Sequence, residues 1–294
     1  MTQSYENAKS RLNNITTIKP LLSALRTLSM GTWQMSMKRY ATMHQYQDHL
    51  GRILTQVFPT IKEKELKGQK NSLSIQTDID TVILVIGTER GLCGKFNNYL
   101  AENAISWINS QNFPSYQIWA FGSRLIREIE LLGAQISWQK PLHTSDMASY
   151  QVAYQNTQNW LVQYESYKFN RLVIIHNELI EGQTSFSTYQ LLPYQFPQPA
   201  ENNHFDPLWP PPIIETDPMG IYNQIIERII ASSYYQIIQK SAIAEHSTRY
   251  NLMQESIENA DDIIEELQLV INAERKKQIT QEMQELATGA GMLD

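Results

Sequence analysis

The sequence predicts an α/β chain in which a doubly wound, Rossmann-like α/β domain is inserted between two long terminal helices, which pair as an antiparallel coiled coil. Three observations carry that prediction. The C-terminal stretch has no helix breaker and repeats apolar residues at helical spacing, the N-terminal stretch carries a matching stripe, and between them β-branched runs alternate with helical segments. The expected boundaries are 1–60 for the N-terminal helix, 75–218 for the α/β domain and 219–294 for the C-terminal helix.

At the C-terminus, Pro218 and Gly220 are the last breakers before Gly289. A stripe opens at Ile221, Ile225 and Ile229 and continues through Ile237 and Ile238. After a more polar stretch it resumes at Leu252, Met253, Ile257, Ala260, Ile263, Ile264, Leu267 and Val270. A helix of that length is roughly 100 Å long at 1.5 Å per residue, against about 40 Å for the width of a globular domain of this size. Such a helix must project or lie along a second long element. The N-terminus supplies one, with Leu12, Ile15, Ile18, Leu22, Leu25, Leu28, Met35 and Met43 on a helical stripe from Tyr5 to Val57. Pro20 removes one hydrogen bond and is expected to bend or restart this helix near Lys19; Phe58-Pro59 ends it. The alternative is two long helices packed separately on a globular core.

The middle section has another texture. Thr81-Val-Ile-Leu-Val-Ile86 is a continuous β-branched run, the pattern of a strand buried on both faces. Tyr99 to Ile108 reads as a helix, Gln117 to Phe121 as a strand, Ser123 to Leu132 and Tyr150 to Tyr167 as helices, and Arg171 to Ile175 as a strand. Pro193 to Pro218 holds eight of the twelve prolines and reads as a loop.

Composition excludes several functions. The net charge is −6, from 24 basic and 30 acidic residues, so no basic surplus is available to neutralise phosphates and nucleic acid is not an expected partner. Cys93 is the single cysteine, which rules out a disulfide framework and a cysteine zinc site. The start, MTQSYENAKSRLNN, lacks the apolar core of a secretory signal, and no run of apolar residues is long enough to span a bilayer. A membrane link is therefore expected only through partners.

No reaction site emerges. Gly87-Thr-Glu-Arg-Gly-Leu-Cys-Gly-Lys-Phe-Asn97 follows a strand and precedes a helix, where α/β proteins hold phosphates, yet it matches neither a Walker loop nor GxGxxG. It reads as a tight turn in which Gly91 and Gly94 permit backbone approach. An anion site and a reactive Cys93 at a helix N-terminus are the alternatives. The histidines His44, His49, His143, His176, His204 and His246 form no metal motif, and Glu258, Asp261, Asp262, Glu265 and Glu266 read as a solvated helix face. No cofactor and no metal are expected.

Three motifs in order carry a resemblance. Thr88-Glu-Arg-Gly-Leu-Cys-Gly-Lys-Phe-Asn97 resembles the signature turn of the gamma subunit of F-type rotary ATP synthase. Glu266-Leu-Gln-Leu-Val270, Asn272, Arg275, Ile279-Thr-Gln-Glu282 and Glu285-Leu-Ala-Thr-Gly-Ala290 are similar in spacing to its C-terminal helix, and Arg11-Leu-Asn-Asn-Ile15 with Ala24-Leu25 to its N-terminal one. The resemblance implies a non-catalytic central-stalk rotor subunit that turns inside a hexamer of alpha and beta subunits and couples proton or sodium flow to ATP synthesis or hydrolysis on beta. It implies an epsilon subunit and a ring of c subunits as further partners. The implied location is the cytoplasmic, matrix or stromal face of a coupling membrane.

Carried over by position, the resemblance places Arg249, Arg275, Lys276, Thr280, Gln281 and Leu25 at contacts with a beta subunit, and Arg90, Gly91, Leu92, Cys93, Gly94 and Asn97 in the signature turn. The chain departs from the family where lysines are usual (Pro20, Ser23), where the signature has Asp (Glu89) and a second glycine (Lys95), and where Leu25 stands for methionine. Two other readings follow from the departures and the fold: a gamma-like shaft of a specialised ATPase or motility complex with altered partners, and an α/β enzyme with a coiled-coil arm.

Overall fold

The computed structural model describes residues 3–57, 79–141, 149–194 and 217–289. The Pro-rich segment, apart from its two ends, and the residues beyond Gly289 lie outside the described residues. The chain divides into two compact units: Met1–Gly31 with Arg249–Asp294, and Thr32–Thr248.

Two helices contribute to both units: α1 (Gln3–Val57) and a C-terminal helix (Pro218–Gly289). Between them, in chain order, come β1 (Ile79–Ile86), α2 (Phe96–Ser110), β2 (Tyr116–Phe121), α3 (Ser123–Leu131), β3 (Trp138–Lys140), α4 (Tyr150–Glu165), β4 (Phe169–Ile180) and β5 (Gln183–Leu192); the C-terminal helix is therefore α5. The helix α1 runs through Pro20 without interruption, so it does not restart at Lys19.

In the larger unit the sheet order is β3-β2-β1-β4-β5, with β1 parallel to β2 and β4, and β5 antiparallel at one edge. The run Val82–Val85 is wholly buried because β1 is central and covered on both faces. On one face Val82, Leu84, Ile86, Leu172 and Ile174 pack with Trp160 of α4 and with Ile230, Tyr234, Ile237 and Ile238 of α5. On the other, Ile83, Val85, Ile118 and Ile175 pack with Leu100 and Ala104 of α2 and with Leu125 and Ile129 of α3. Helices cover both faces, as a doubly wound sheet requires. Burying each such aliphatic side chain stabilises the fold by roughly 1.5–3 kcal/mol. In the same unit Leu50 and Val57 of α1 pack with Tyr222, Ile225 and Ile229 of α5, while Gln47 donates to Ser233 Oγ at 2.8 Å.

In the smaller unit, Lys19 pairs with Asp261 and Arg26 reaches Gln254. Numbers rise along α1 as they fall along α5, so the helices are antiparallel there, as they are in the larger unit.

Two strands were not evident in the sequence. The short β3, Trp-Gln-Lys, is exposed at Trp138 and Gln139 and half-buried only at Lys140. The edge strand β5 forms a hairpin with β4 through Glu181 and Gly182, both at positive φ (49° and 81°), the conformation of a type I′ turn.

Candidate functional site

The turn after β1 lies at the carboxyl ends of the parallel strands, where strand order reverses between β1 and β4. Open α/β sheets place ligands in that crevice. Here the chain itself fills it. Asn97, at the start of α2, turns back on Thr88: its Oδ1 accepts the Thr88 N–H at 3.0 Å and its Nδ2 donates to Thr88 Oγ1 at 2.8 Å. Thr88 Oγ1 donates in turn to the Arg90 carbonyl at 2.8 Å. The Cys93 sulfur, 2% exposed, lies 3.7 Å from both Asn97 Nδ2 and Thr88 Oγ1. A thiol so enclosed lacks the access that nucleophilic chemistry requires.

The glycine roles differ from expectation. Gly94 does adopt a left-handed conformation, φ 55°, and so does the non-glycine Leu92 at 62°. Gly91 does not, and a Cβ there would meet only Arg124 at 3.6 Å or beyond. The close approach occurs at Gly87, where a Cβ would fall 2.3 Å from Leu125 Cβ, and at Gly122, where it would fall 2.7 Å from the Thr88 carbonyl. Glu89 adds a contact that sequence reasoning missed. Its carboxylate accepts the Ser123 N–H at 2.9 Å and the Ser123 hydroxyl at 2.7 Å, capping α3 from outside the helix.

This turn is the seat of α5. Cys93 and Phe96 pack on Ala244, which is wholly buried, with Leu179 beside them. Asn177 Nδ2 donates to the Phe96 carbonyl at 3.2 Å, tying β4 to the same corner. One turn before Ala244, Lys240 Nζ meets Glu178 Oε2 at 2.7 Å; one turn after it, the Thr248 and Thr184 hydroxyls meet at 2.9 Å. With the apolar contacts of Ile230 to Ile238, these interactions hold α5 to the sheet along several turns. The small Ala244 in an isoleucine-rich stripe was the only sequence signal of this seat.

His176 lies on β4 two residues before Glu178 and is 2% exposed, with neither ring nitrogen hydrogen-bonded among the described residues. Burial pushes its pKa down to about 4, with Glu178 opposing and Lys240 assisting. Burial alone would raise Glu178, yet the Lys240 hydrogen bond and charge outweigh it and hold that carboxyl below its usual range. Among the described residues no cluster of three or more His, Cys, Asp or Glu could hold a metal ion, and no helix is long and apolar enough to cross a membrane.

The second group of candidate residues lies in the smaller unit. Arg275, Lys276, Thr280 and Gln281 are exposed on successive turns of α5, and the Thr280 hydroxyl donates back to the Lys276 carbonyl at 2.9 Å. Arg249 is buried at 6% exposure and Leu25 is half-buried. Arg26, next to Leu25, donates to Gln254, which sets that turn of α1 against the turn of α5 just after Arg249. Near Arg275 the helix exposes Ile279, Met283 and Leu286, at i, i+4 and i+7.

A family model described as ATP synthase matches residues 4–293. The ATP synthase gamma chain of Buchnera aphidicola subsp. Acyrthosiphon pisum (strain APS) is 26% identical, over 98% of this chain and 97% of that one. Among solved structures, the central stalk and c-ring of Tetrahymena thermophila mitochondrial ATP synthase contains a chain with a TM-score of 0.56 and 15% identity, covering 80% of this chain and 98% of that one. The OSCP/F1/c-ring of Euglena gracilis mitochondrial ATP synthase, in rotational state 3, contains another with a TM-score of 0.60 and 12% identity, covering 99% and 96%.

Proposed function

The chain belongs to the ATP synthase gamma family, and from that premise we propose that it is the non-catalytic central-stalk rotor of an F-type ATP synthase. It turns within a hexamer of alpha and beta subunits and couples proton or sodium flow to ATP chemistry carried out on beta. The same reading gives it an epsilon subunit and the c-ring as partners, and a peripheral position on the coupling membrane.

One observation carries this reading: the crevice at the switch point of the sheet is filled by Cys93, Phe96 and Ala244 rather than left open for a ligand. A ligand-binding α/β domain keeps that corner free. Using it to seat α5 makes the helix and the sheet one mechanical piece, which is what torque transfer through α5 requires. The exposed Ile279, Met283 and Leu286 support the sheath, since apolar residues repeating along one side of a helix end are suited to being surrounded by other subunits.

The test is a pull-down of the tagged chain from its native membranes, with identification of the co-purifying proteins and an ATPase assay of the eluate. Recovery of alpha-, beta- and epsilon-like subunits with ATPase activity is the expected result. Recovery of none of them, or nucleotide turnover by the purified chain alone, overturns the reading.

A further inference from the structure

We propose that the Thr16–Pro20 turn of α1 is a latched hinge, a place where the first turns of α1 part from α5 while α5 itself stays helical. The inference concerns the smaller unit alone and does not depend on what the chain turns inside.

Three observations meet at this turn. First, Pro20 lies inside the helix, so the Thr16 carbonyl has no N–H four residues on to accept from. Second, the hydroxyls before it bond backwards along the helix. Thr16 Oγ1 donates to the Leu12 carbonyl at 2.9 Å and to the Asn13 carbonyl at 3.0 Å, and Thr17 Oγ1 donates to the Asn13 carbonyl at 2.8 Å. Back-bonded threonines loosen and bend a helix, and here they precede the missing bond by a single turn. Third, the seam is open at the same level. Ile15, Ile18 and Leu22 line a cavity of about 270 Å³ with Ser256, Asn259, Ala260 and Ile263 of α5, and Ile18 is 51% exposed. The turn is therefore weakened along its own axis and across the seam together.

The latch is the ion pair of Lys19 with Asp261, in the turn that contains Pro20. Both side chains are partly exposed, at 36% and 51%, so salt screens the pair. On the far side of the hinge Arg26 Nη1 donates to Gln254 Oε1 at 2.5 Å, and Gln254 Nε2 donates to Glu258 Oε1 at 2.6 Å, which holds α1 to α5 beyond the hinge. No proline or glycine interrupts α5 over the facing turns, where Ser256 Oγ back-bonds to the Leu252 carbonyl at 2.7 Å but every backbone N–H is kept; the missing backbone bond is on α1.

Amide hydrogen exchange on the full chain tests this without any partner, so its outcome is separate from capture by alpha and beta subunits. The amides of Thr17 to Leu22 are expected to exchange about tenfold faster than those of Met253 to Ile263 across the seam. Pro20→Ala restores the bond with a strong helix former and is expected to slow exchange at Thr17 to Leu22 about tenfold. Unchanged exchange in Pro20→Ala overturns the hinge. Asp261→Asn, or added salt, is expected to speed exchange over the same amides, and no change there overturns the latch.

Discussion

Asn97 grips Thr88 through both ends of its amide, accepting from the backbone N–H at 3.0 Å and donating to the hydroxyl at 2.8 Å. Both residues are buried, at 7% and 1% exposure, so neither finds water if the grip fails. Asn97→Asp keeps the shape and removes the donor, leaving a carboxylate against a hydroxyl already committed to the Arg90 carbonyl. The expected cost is about 2–3 kcal/mol in denaturant unfolding. A loss under 0.5 kcal/mol would remove the network from the account of why this turn is rigid.

Glu89 makes the family departure at its position intelligible. Its carboxylate reaches Ser123 at 2.9 and 2.7 Å and caps α3. Glu89→Asp restores the family's residue but shortens the side chain by one methylene, and is expected to destabilise this chain by about 0.5–1 kcal/mol, with Glu89→Ala costing about 1 kcal/mol. Thermal unfolding of the two variants checks it, and an Asp variant as stable as the parent would sink the capping argument.

These contacts mark where legibility ended. The strand Thr81 to Ile86 could be read because burial on both faces leaves an unbroken apolar run, and the long helices because their stripes persist for many turns. The edge strand β5, QTSFSTYQLL, was invisible because most of it is half-buried or exposed and needs no apolar run. Pro20 predicts a bend or a restart, and α1 stays helical through it without restarting, because a proline removes one hydrogen bond from the ladder while the turns on either side keep theirs. The cap from Glu89 joins residues far apart in sequence, which no local pattern encodes. Gly91 stands in a motif, whereas Gly87 matters because the Leu125 and Asn97 side chains press on it, and Gly122 because the Gly87–Thr88 backbone does. What the family resemblance supplied was the order of the motifs; what it left unread was how the signature turn seats Ala244.

The corner formed by His176, Glu178 and Lys240 should make the fold acid-sensitive in a defined window. The pKa of His176 is lowered in the folded state to about 4 from 6.5, so the unfolded chain takes up a proton first as pH falls. Its stability contribution is complete above the unfolded value and is lost progressively down to about pH 4, amounting to about 3 kcal/mol. Glu178, also lowered, acts in the same direction as the pH drops through the carboxylate range. Denaturant midpoints measured between pH 7 and 4 should therefore fall more steeply in the parent than in His176→Phe. Parallel curves would mean that the histidine does not titrate as its burial dictates.

Gln239 presents the opposite case. It is wholly buried on α5, and neither its Nε2 nor its Oε1 has a hydrogen-bond partner among the described residues. Two orphaned polar atoms cost more than an apolar group of similar shape, so Gln239→Met is expected to raise stability by about 1–3 kcal/mol. Calorimetry decides, and a lower melting temperature in the variant would show that the amide is satisfied by something other than its described neighbours.

The basic pair at Arg275 and Lys276 separates folding from assembly. Both side chains are exposed, so reversing their charge should leave unfolding within about 0.5 kcal/mol of the parent. In the rotor reading they stand beside the exposed Ile279 and Met283, where a sheath would close over the helix, and a reversed charge there would repel any acidic group that the sheath sets against the basic pair. Arg275→Glu with Lys276→Glu is therefore expected to weaken capture by purified alpha and beta subunits about tenfold or more, with a shallower dependence on salt. Titration of labelled chain into the two subunits at low and high salt measures both quantities. Undiminished binding with unchanged folding would remove this part of α5 from the contact and move the search to Arg249 and Leu25.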